Sequence, residues 1–292
     1  MADRVVVRAP ATVANLGPGF DVMGLALTWH DEVRVERGGE GLEITASGLG
    51  ADTLPRDETN GVVVGLRAVL GDLPALRIHK MTAVAYARGF GASALSICAG
   101  LVAGRALGDT AHSDDDLLAL AVDLEGHPDN VAPCLRGGIT VNAAGRGLRL
   151  DPPDQLCLLA CIAPGALSTE TARAALPDMV PHADAVANVG RAALLAAALA
   201  TRRLDVLFEA TEDVLHQPPR FALMRESGDL VAGLRAGGVA AFLSGAGPSV
   251  GAFVRAHEAD AGAVAARALA PDGWEVRVID IDRDGATVVE SR

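Results

Sequence analysis

The sequence predicts an α+β fold made of two domains. Strand-like and helical segments are mixed along the chain rather than strictly alternating, which favours α+β over a doubly wound parallel sheet. The 292 residues, half of them hydrophobic, are enough for two ordinary domains with a sizeable core. The polar, proline-containing segment Asp151–Asp154 is the best candidate linker. We therefore place the domains at residues 1–150 and 151–292.

Hydrophobic spacing and glycine or proline turns define the elements of the first domain. Strands are predicted at Val5–Arg8, Val22–Val35, Leu42–Ala46, Ala75–His79 and Gly138–Asn142. Helices are predicted at Gly61–Leu70, at about Ala94–Leu107 and around Leu117, Leu118 and Leu120. Ser113, with Asp116 three residues later, is a capping-box pattern for the start of the third helix. Gly100 and Gly104 in the second helix allow a close backbone approach.

The second domain follows the same rules. Strands are predicted at Gln155–Ile162, Val239–Leu243, Val250–Val254 and Trp274–Ile281, and helices at Ser168–Leu176, His182–Ala200, Leu204–Leu215 and Glu258–Leu269. Cys157 and Cys161 share one face of their strand because their separation is even. The four cysteines lie in apolar runs without CxxC pairs or nearby histidines, so we expect small buried side chains rather than a metal site.

Composition excludes several classes of protein. The formal net charge of −12 argues against a nucleic-acid binder, which needs clustered positive charge. Lys80 is the only lysine, so a GxxxxGK[ST] loop is absent, and its context is not the VAIK of a protein kinase. The N-terminus has no apolar signal core, and the longest apolar stretch, Ala192–Ala200, is far short of the ~18 residues of a membrane span. We expect a soluble, cytoplasmic protein without membrane contact.

Two turns could hold a nucleotide and a metal ion. Gly89-Phe90-Gly91-Ala92-Ser93 precedes a helix, so its backbone and the helix N-terminus could cradle phosphate, although plain turn chemistry has the same pattern. Glu125, in Glu125–Asn130, could ligate Mg²⁺ through a hard oxygen, or the segment could be an ordinary polar helix end.

Two further segments could hold an amino acid. Asn15–Asp21 places an amide and a carboxylate around a tight loop, which could also be a simple strand connection. Arg173 and Arg220 could bind a carboxylate through two hydrogen bonds each, although most arginines are solvated surface charges. If they converge with Asp21, the ligand carries both an ammonium and a carboxylate group.

Taken together, these motifs resemble one family. PATVANLGPGFD (Pro10–Asp21) is similar to the first signature of homoserine kinases in the GHMP small-molecule kinase superfamily. EGHPDNVAP (Glu125–Pro133), followed by Gly137-Gly138, resembles their middle signature. STETARAALP, LHQPPR and SGAGPS resemble their C-terminal signatures in the expected order, so the resemblance covers nearly the whole chain.

The resemblance implies a ribosomal-protein-S5-domain-2-like N-terminal domain and a ferredoxin-like C-terminal domain. It implies transfer of the ATP γ-phosphoryl group to the side-chain hydroxyl of L-homoserine, on the route to threonine, with Mg²⁺. Homodimers are compatible with the family, but the sequence shows no interface.

The resemblance also implies roles for residues of this sequence. Asn15 and Asp21 would hold the homoserine hydroxyl and ammonium, and Asn15 and Glu125 would be the catalytic pair. Homoserine would also contact His127, Asn130, Thr169, Arg173 and Arg220. Mg²⁺ would bind Ser93 and Glu125. ATP would contact the loop Arg88, Gly89, Phe90, Gly91, Ala92 and Ser93, beside a glycine turn formed by Gly245 and Gly247.

The phosphate loop departs from the family's PxxxGLGSS pattern. The proline is missing, Phe90 replaces leucine and Ala92 replaces the first serine. Loss of a charge-assisted phosphate hydrogen bond costs about 1.5–3 kcal/mol, and Phe90 adds bulk, so weaker ATP binding is expected. This leaves two alternatives to a working homoserine kinase: a homoserine-binding protein that has lost ATP use, and a GHMP kinase for another small alcohol.

Overall fold

The computed structural model describes residues 2–292, which form two β-sheets covered by helices. In chain order, the strands are β1 (Arg4–Ala14), β2 (Met23–Arg37), β3 (Leu42–Gly48), β4 (Leu76–Thr82), β5 (Ile139–Ala143), β6 (Arg146–Leu150), β7 (Leu156–Ile162), β8 (Ala240–Leu243), β9 (Val250–Arg255), β10 (Glu275–Asp280) and β11 (Thr287–Ser291). The helices are α1 (Gly61–Leu70), α2 (Ala92–Gly108), α3 (Asp114–Glu125), α4 (Pro128–Arg136), α5 (Thr169–Ala174), α6 (His182–Thr201), α7 (Leu207–Ala210), α8 (Gln217–Phe221), α9 (Arg225–Ala236) and α10 (Ala259–Leu269).

The first sheet is mixed and has the order β11-β1-β2-β4-β3, with the β5–β6 hairpin attached to β2. Only β3 and β4 are parallel, because α1 lies between them in the chain and supplies the crossover. Helix α2 packs on β1 and α4 packs on β1 and β2. The helices that pack on this sheet therefore form one layer. The N-termini of two of them, α2 and α4, border the candidate site.

The second sheet is antiparallel, with the order β10-β7-β9-β8. Alternating residues of β7 enter two different cores: Cys157 and Cys161 pack with α9 and α10, while Leu158 and Ala160 join the core of the first sheet. The four cysteines are free and buried, as the sequence predicts. This sandwiched sheet agrees with the predicted α+β class.

The structure corrects several predicted elements. Strand β1 is longer than Val5–Arg8, since it continues past a bulge between Pro10 and Thr12. Of the helix predicted at Leu204–Leu215, only one short 3₁₀ turn and α7, which follows it, are present, and the prediction is wrong for the residues after α7. The chain leaves the helical path there because the carboxylate of Asp213 accepts the amides of His216 and Gln217 and so begins α8. Helices α4, α8 and α9 and strands β6 and β11 were not predicted.

The domain boundary at residue 150 stays a prediction. Strand β11 follows this boundary in the chain but pairs with a strand that precedes it. After β10, the chain returns to the first sheet, where β11 pairs antiparallel with β1. The amide of Asp3 donates to the carbonyl of Arg292, which places the two chain ends side by side. Residues 282–292 therefore belong structurally with the N-terminal half.

Helix α6 is the one helix among residues 2–292 long and apolar enough to cross a membrane by length and composition. It is partly packed on the protein, where Leu195 and Leu199 are buried and the buried Asn188 amide donates to the carbonyl of Pro18. The last contact ties α6 to the loop that follows β1.

Helices α1 and α2 approach closely because glycines face each other. A Cβ on Gly100 would lie 2.2 Å from the carbonyl oxygen of Val62, and one on Gly65 would lie 2.3 Å from that of Ile97. A Cβ on Gly104, one turn further along α2, would come no closer than 3.1 Å to the Val69 side chain and 3.5 Å to the carbonyl oxygen of Leu66. The predicted close packing at Gly100 is therefore confirmed, and it fixes α2 against the fold.

We expect Gly100→Ala to lower the free energy of unfolding by at least about 1 kcal/mol more than Gly104→Ala. Both changes gain about 1 kcal/mol of helix propensity, but only the first forces two backbones apart, which costs about 1–3 kcal/mol or more. Urea denaturation of the two variants measures the difference. Equal stabilities would contradict the backbone contact.

Candidate active site

The loop between β4 and α2 ends in two glycines with left-handed backbones, Gly89 (φ 86°) and Gly91 (φ 66°). A Cβ on Gly89 would lie 2.2 Å from the Ser244 carbonyl oxygen, and one on Gly91 would lie 2.0 Å from Thr12 Oγ1. Gly91 offers no side-chain cap to α2, so the amides of Ala92 and Ser93 have no partner within the helix. The loop can therefore present free N–H groups to an anion.

Phe90 does not lie beside the loop as extra bulk. Its side chain is 1% exposed and packs against Trp29, with ring centroids 5.2 Å apart. The expectation that Phe90 narrows the nucleotide site is therefore wrong, because the left-handed glycines on either side turn this side chain into the core. Ala92 is also buried, at 4% exposure. Only the backbone of these two residues can contact a ligand.

Ser93 and Glu125 lie together at the mouth of this loop. The hydroxyl of Ser93 donates to Glu125 Oε2 across 3.2 Å. Glu125 ends α3 and makes no ion pair among residues 2–292. Burial of its carboxyl group raises the pKa of that group. A cation held by these two oxygens would stabilise the carboxylate, which makes the pair a fit for Mg²⁺.

The segment after Glu125 supports both sides of the site. His127 Nδ1 donates to Asp129 across 2.6 Å, and this bond raises the pKa of His127 although burial opposes it. Asn130 Oδ1 accepts from Thr12 Oγ1 at 2.8 Å, directly beneath Gly91. Asn130 Nδ2 has no hydrogen-bond partner within residues 2–292 and remains an available donor.

The loop between β1 and β2 is tightly wound. Asn15, Leu16, Gly17 and Asp21 all have positive φ. Asn15 is buried, and its Nδ2 donates to the Gly245 carbonyl at 2.9 Å while its Oδ1 accepts the Asp21 amide at 3.1 Å. One N–H of the Asn15 amide remains free for a ligand. The strained loop thus fixes where Asp21 points.

Asp21 and Arg173 form a two-pronged ion pair. Arg173 Nη1 and Nη2 donate to the two carboxylate oxygens of Asp21 at 2.8 and 2.7 Å. Both side chains keep substantial exposure, 43% for Arg173 and 32% for Asp21. The residues expected to hold a carboxylate and an ammonium are therefore paired with each other in this structure.

Arg220 is buried without a carboxylate partner. Its side chain donates to the carbonyls of Ala172 and Gly245 and to Nδ1 of His216, and the residue is 2% exposed. No ion pair to Arg220 is present within residues 2–292, and burial together with Arg173 lowers its pKa. A buried, unpaired guanidinium is costly unless an anion reaches it.

His216 and Phe20 hold the two arginines in place. Nε2 of His216 donates to the Gly17 carbonyl at 2.8 Å, and burial lowers the pKa of the ring, so it is neutral and Nδ1 accepts from Arg220. Phe20 stacks on His216 at 4.9 Å between centroids, and its ring lies 5.4 and 5.1 Å from the Arg173 and Arg220 guanidinium carbons. Such contacts favour cations over the ring face.

One glycine turn, residues 244–249, joins these parts. The Ser244 hydroxyl donates to the Gly89 carbonyl at 2.7 Å. The carbonyl of Gly245, the residue after Ser244, accepts from both Asn15 and Arg220. Gly247 instead packs on Met224 and serves the turn itself. The phosphate loop and Arg220 are thus held by neighbouring residues of a single turn.

The remaining predicted residues lie near the site without fixed contacts. Thr169 begins α5, one turn before Arg173, and is exposed. Arg88 is half-buried and makes no ion pair within the described part of the chain. Sequence reasoning missed Thr12, Phe20, Asp129 and His216. A signal existed for His216, which precedes Arg220 by four residues and so faces the same way on a helix.

The arrangement can bind an anion at the α2 N-terminus and a second one at Arg220. Among residues 2–292, no group of three or more His, Cys, Asp and Glu side chains converges. A metal ion at Ser93 and Glu125 would therefore need further ligands from a bound phosphate or water. This is the chemistry of a phosphotransferase that handles a phosphate donor and a small carboxylate acceptor together.

Comparison with known proteins agrees with this site. The family model described as "GHMP kinases N terminal domain" matches residues 60–138, and that described as "GHMP kinases C terminal" matches residues 191–272. The homoserine kinase of Streptomyces avermitilis is 48% identical over 99% of this chain and 96% of its own length. The homoserine kinase of Streptomyces coelicolor is 47% identical over 99% of this chain and 95% of its own.

A solved structure gives the same result. The crystal structure of homoserine kinase from Cytophaga hutchinsonii superimposes with a TM-score of 0.89 at 29% identity, covering 99% of this chain and 98% of that one. The chain belongs to the GHMP kinase family. It is an ATP-dependent kinase with the two-domain fold of that family, and its relatives at 36–48% identity are homoserine kinases.

Proposed function

We propose that the protein transfers the γ-phosphoryl group of ATP to the side-chain hydroxyl of L-homoserine, in the cytoplasm and on the route to threonine. The observation that carries this proposal is the buried Arg220, which has no carboxylate partner among residues 2–292 and shares the Gly245 carbonyl with Asn15. The adjacent Ser244 holds the phosphate loop. The relatives named homoserine kinase extend along the same full length of chain.

The carboxylate of homoserine would bind Arg220 and Arg173, and its ammonium would bind Asp21. To do so, the homoserine zwitterion would replace the Asp21–Arg173 ion pair, so that its ammonium pairs with Asp21 and its carboxylate pairs with Arg173. A half-exposed pair of this kind is worth only about 0–1 kcal/mol, so opening it costs little. Two charge-assisted contacts, plus neutralisation of the buried Arg220, favour the exchange. An acid without an amino group would leave Asp21 unpaired.

The phosphates of ATP would lie on the loop Arg88–Ser93, against the free amides of Ala92 and Ser93. The missing hydroxyl at position 92 matters less than the sequence suggests, since the Ala92 side chain is buried and the amide is what the loop exposes. Ser93 and Glu125 would hold Mg²⁺, which offsets the charge of the transferred phosphoryl group when it is bound.

The reaction then depends mainly on position. Phosphoryl transfer needs little covalent help from protein groups, so holding the hydroxyl in line with the γ-phosphate supplies most of the rate. The free N–H of Asn15 would orient the homoserine hydroxyl, and Asn130, whose Oδ1 lies beneath Gly91, would line the acceptor side with Nδ2 as an available donor. His127 and Thr169 would line the acceptor side.

The direct test is ADP release with Mg·ATP and a panel of acceptors. We expect turnover with L-homoserine and at least about tenfold lower kcat/KM for acceptors that lack the ammonium, such as mevalonate, because such an acceptor offers Asp21 no cation in place of Arg173. Turnover with a sugar or mevalonate but not homoserine would contradict the proposal. Homoserine binding without ADP release would identify a binding protein instead.

Arg173→Ala should raise the KM for homoserine by about tenfold to a hundredfold and leave the KM for ATP nearly unchanged. The substitution removes one charge-assisted carboxylate contact worth about 1.5–3 kcal/mol, and the Arg173 side chain is bonded to Asp21 rather than to the phosphate loop. Initial-rate kinetics with each substrate varied gives both constants. Arg203→Ala, which breaks a similar exposed pair with Asp205, is the control and should match the wild type.

Glu125→Gln should lower kcat/KM by about a hundredfold or more, because it removes the charge that would hold the metal while keeping the side-chain size and the Ser93 contact. Rates measured over a range of Mg²⁺ concentrations should show a much higher metal requirement. Asp123→Asn, an exposed acid on the same helix, is the matched control. A normal rate in Glu125→Gln would exclude the metal role.

A further inference from the structure

The only lysine of the chain lies buried beneath the phosphate loop. Lys80, on β4, is 1% exposed, and its Nζ lies 3.0 Å from Asp31 Oδ2, 2.6 Å from Ser96 Oγ and 3.3 Å from the hydroxyl of Tyr86. The ammonium group thus donates to two hydroxyl oxygens and forms an ion pair with the Asp31 carboxylate. At this depth the ammonium cannot touch a nucleotide, so a function must act through its neighbours.

Each neighbour of Lys80 holds a different part of the loop. Asp31 Oδ1 accepts the amides of Ala83 and Val84 at 2.7 and 3.0 Å, which fixes the start of the loop where β4 ends. Tyr86 belongs to the middle of the loop, and its hydroxyl bonds to Ser96 Oγ. Ser96, on α2, donates to the carbonyl of Ala92 at 2.9 Å, one turn from the anion-binding end of that helix.

The loop needs these ties because its own backbone does not restrict it. Residues 83–88 contain no proline to fix φ, and Ala87 has a positive φ of 56°, which alanine seldom adopts. A strained, proline-free segment keeps one conformation only when its surroundings determine it. Two sets of contacts do so here: the amide of Leu167, which donates to the Ala87 carbonyl at 3.0 Å, and the buried network of Lys80, Asp31, Tyr86 and Ser96, which holds the segments on both sides.

We propose that Lys80 and Tyr86 are positioning residues for nucleotide binding: through Ser96 and Asp31 they hold the loop and the first turn of α2 in the conformation that receives the triphosphate. This inference rests on the proposed use of the loop for ATP. It does not depend on which alcohol accepts the phosphoryl group.

Tyr86→Phe tests the proposal with the smallest change, the loss of one hydroxyl. We expect the dissociation constant for Mg·ATP, measured by titration calorimetry on the full chain, to rise about three- to tenfold, the effect of one buried hydrogen bond. Ser96→Ala should give a rise of the same size. The KM for homoserine should change less than the dissociation constant for Mg·ATP, because neither Tyr86 nor Ser96 contacts Asp21, Arg173 or Arg220.

Thr45→Val is the matched control. The hydroxyl of Thr45 is hydrogen-bonded to His79, on the opposite face of β4 from Lys80, so this substitution should leave Mg·ATP binding unchanged. Lys80→Met should weaken Mg·ATP binding further, with thermal unfolding recorded alongside. Folded Tyr86→Phe and Ser96→Ala proteins with unchanged Mg·ATP affinity would overturn the proposal, as would an equal loss of homoserine binding. Calorimetry needs no turnover. A wild-type protein that binds Mg·ATP but does not bind homoserine would therefore refute the proposed function and leave the role of Lys80 and Tyr86 standing.

Discussion

The site depends on backbone segments that come closer than any side chain would permit. Gly89 lies against the Ser244 carbonyl, Gly17 against the Thr211 carbonyl, and Gly91 against the Thr12 hydroxyl, each at a distance that a Cβ would reduce to about 2 Å. The first two contacts join the two halves of the chain through main-chain atoms, which have few alternative conformations, and the third fixes Gly91 against β1. The positions of the phosphate loop and of the arginines are therefore not independent: a shift in one of the turns displaces the others.

An acidic protein with a single lysine must attract two anions without a large positive patch. It does so with groups whose charge is local: free amides at a helix start, and the guanidinium groups of Arg173 and Arg220 stacked on Phe20. The neutral His216 accepts from Arg220 and donates to Gly17, so the buried cation gains hydrogen bonds without losing its charge to a carboxylate. The selectivity of such a site comes from geometry more than from net charge.

Local signals predicted most of the elements and brought the right motifs into one hypothesis. The capping box at Ser113 and Asp116 and the alternation of β7 were visible because they depend on residues a few positions apart. The orientation of Phe90 was not, since it follows from two left-handed glycines and the packing of Trp29, which lies 61 residues earlier in the chain. The pairing of Asp21 with Arg173 and the burial of Lys80 likewise depend on contacts that spacing cannot show.

Strand β11 has a consequence for how the protein is made. It pairs with β1, and the Arg4–Glu290 contact that accompanies the pairing joins residues 286 positions apart. During synthesis, the first sheet cannot be completed until β11 has left the ribosome, although its other strands emerge much earlier. The unpaired edge of β1 stays open for that time, and an exposed strand edge invites pairing with other chains. The nascent N-terminal half is thus at its most aggregation-prone until β11 emerges, and a chain truncated before β11 would keep that vulnerability permanently.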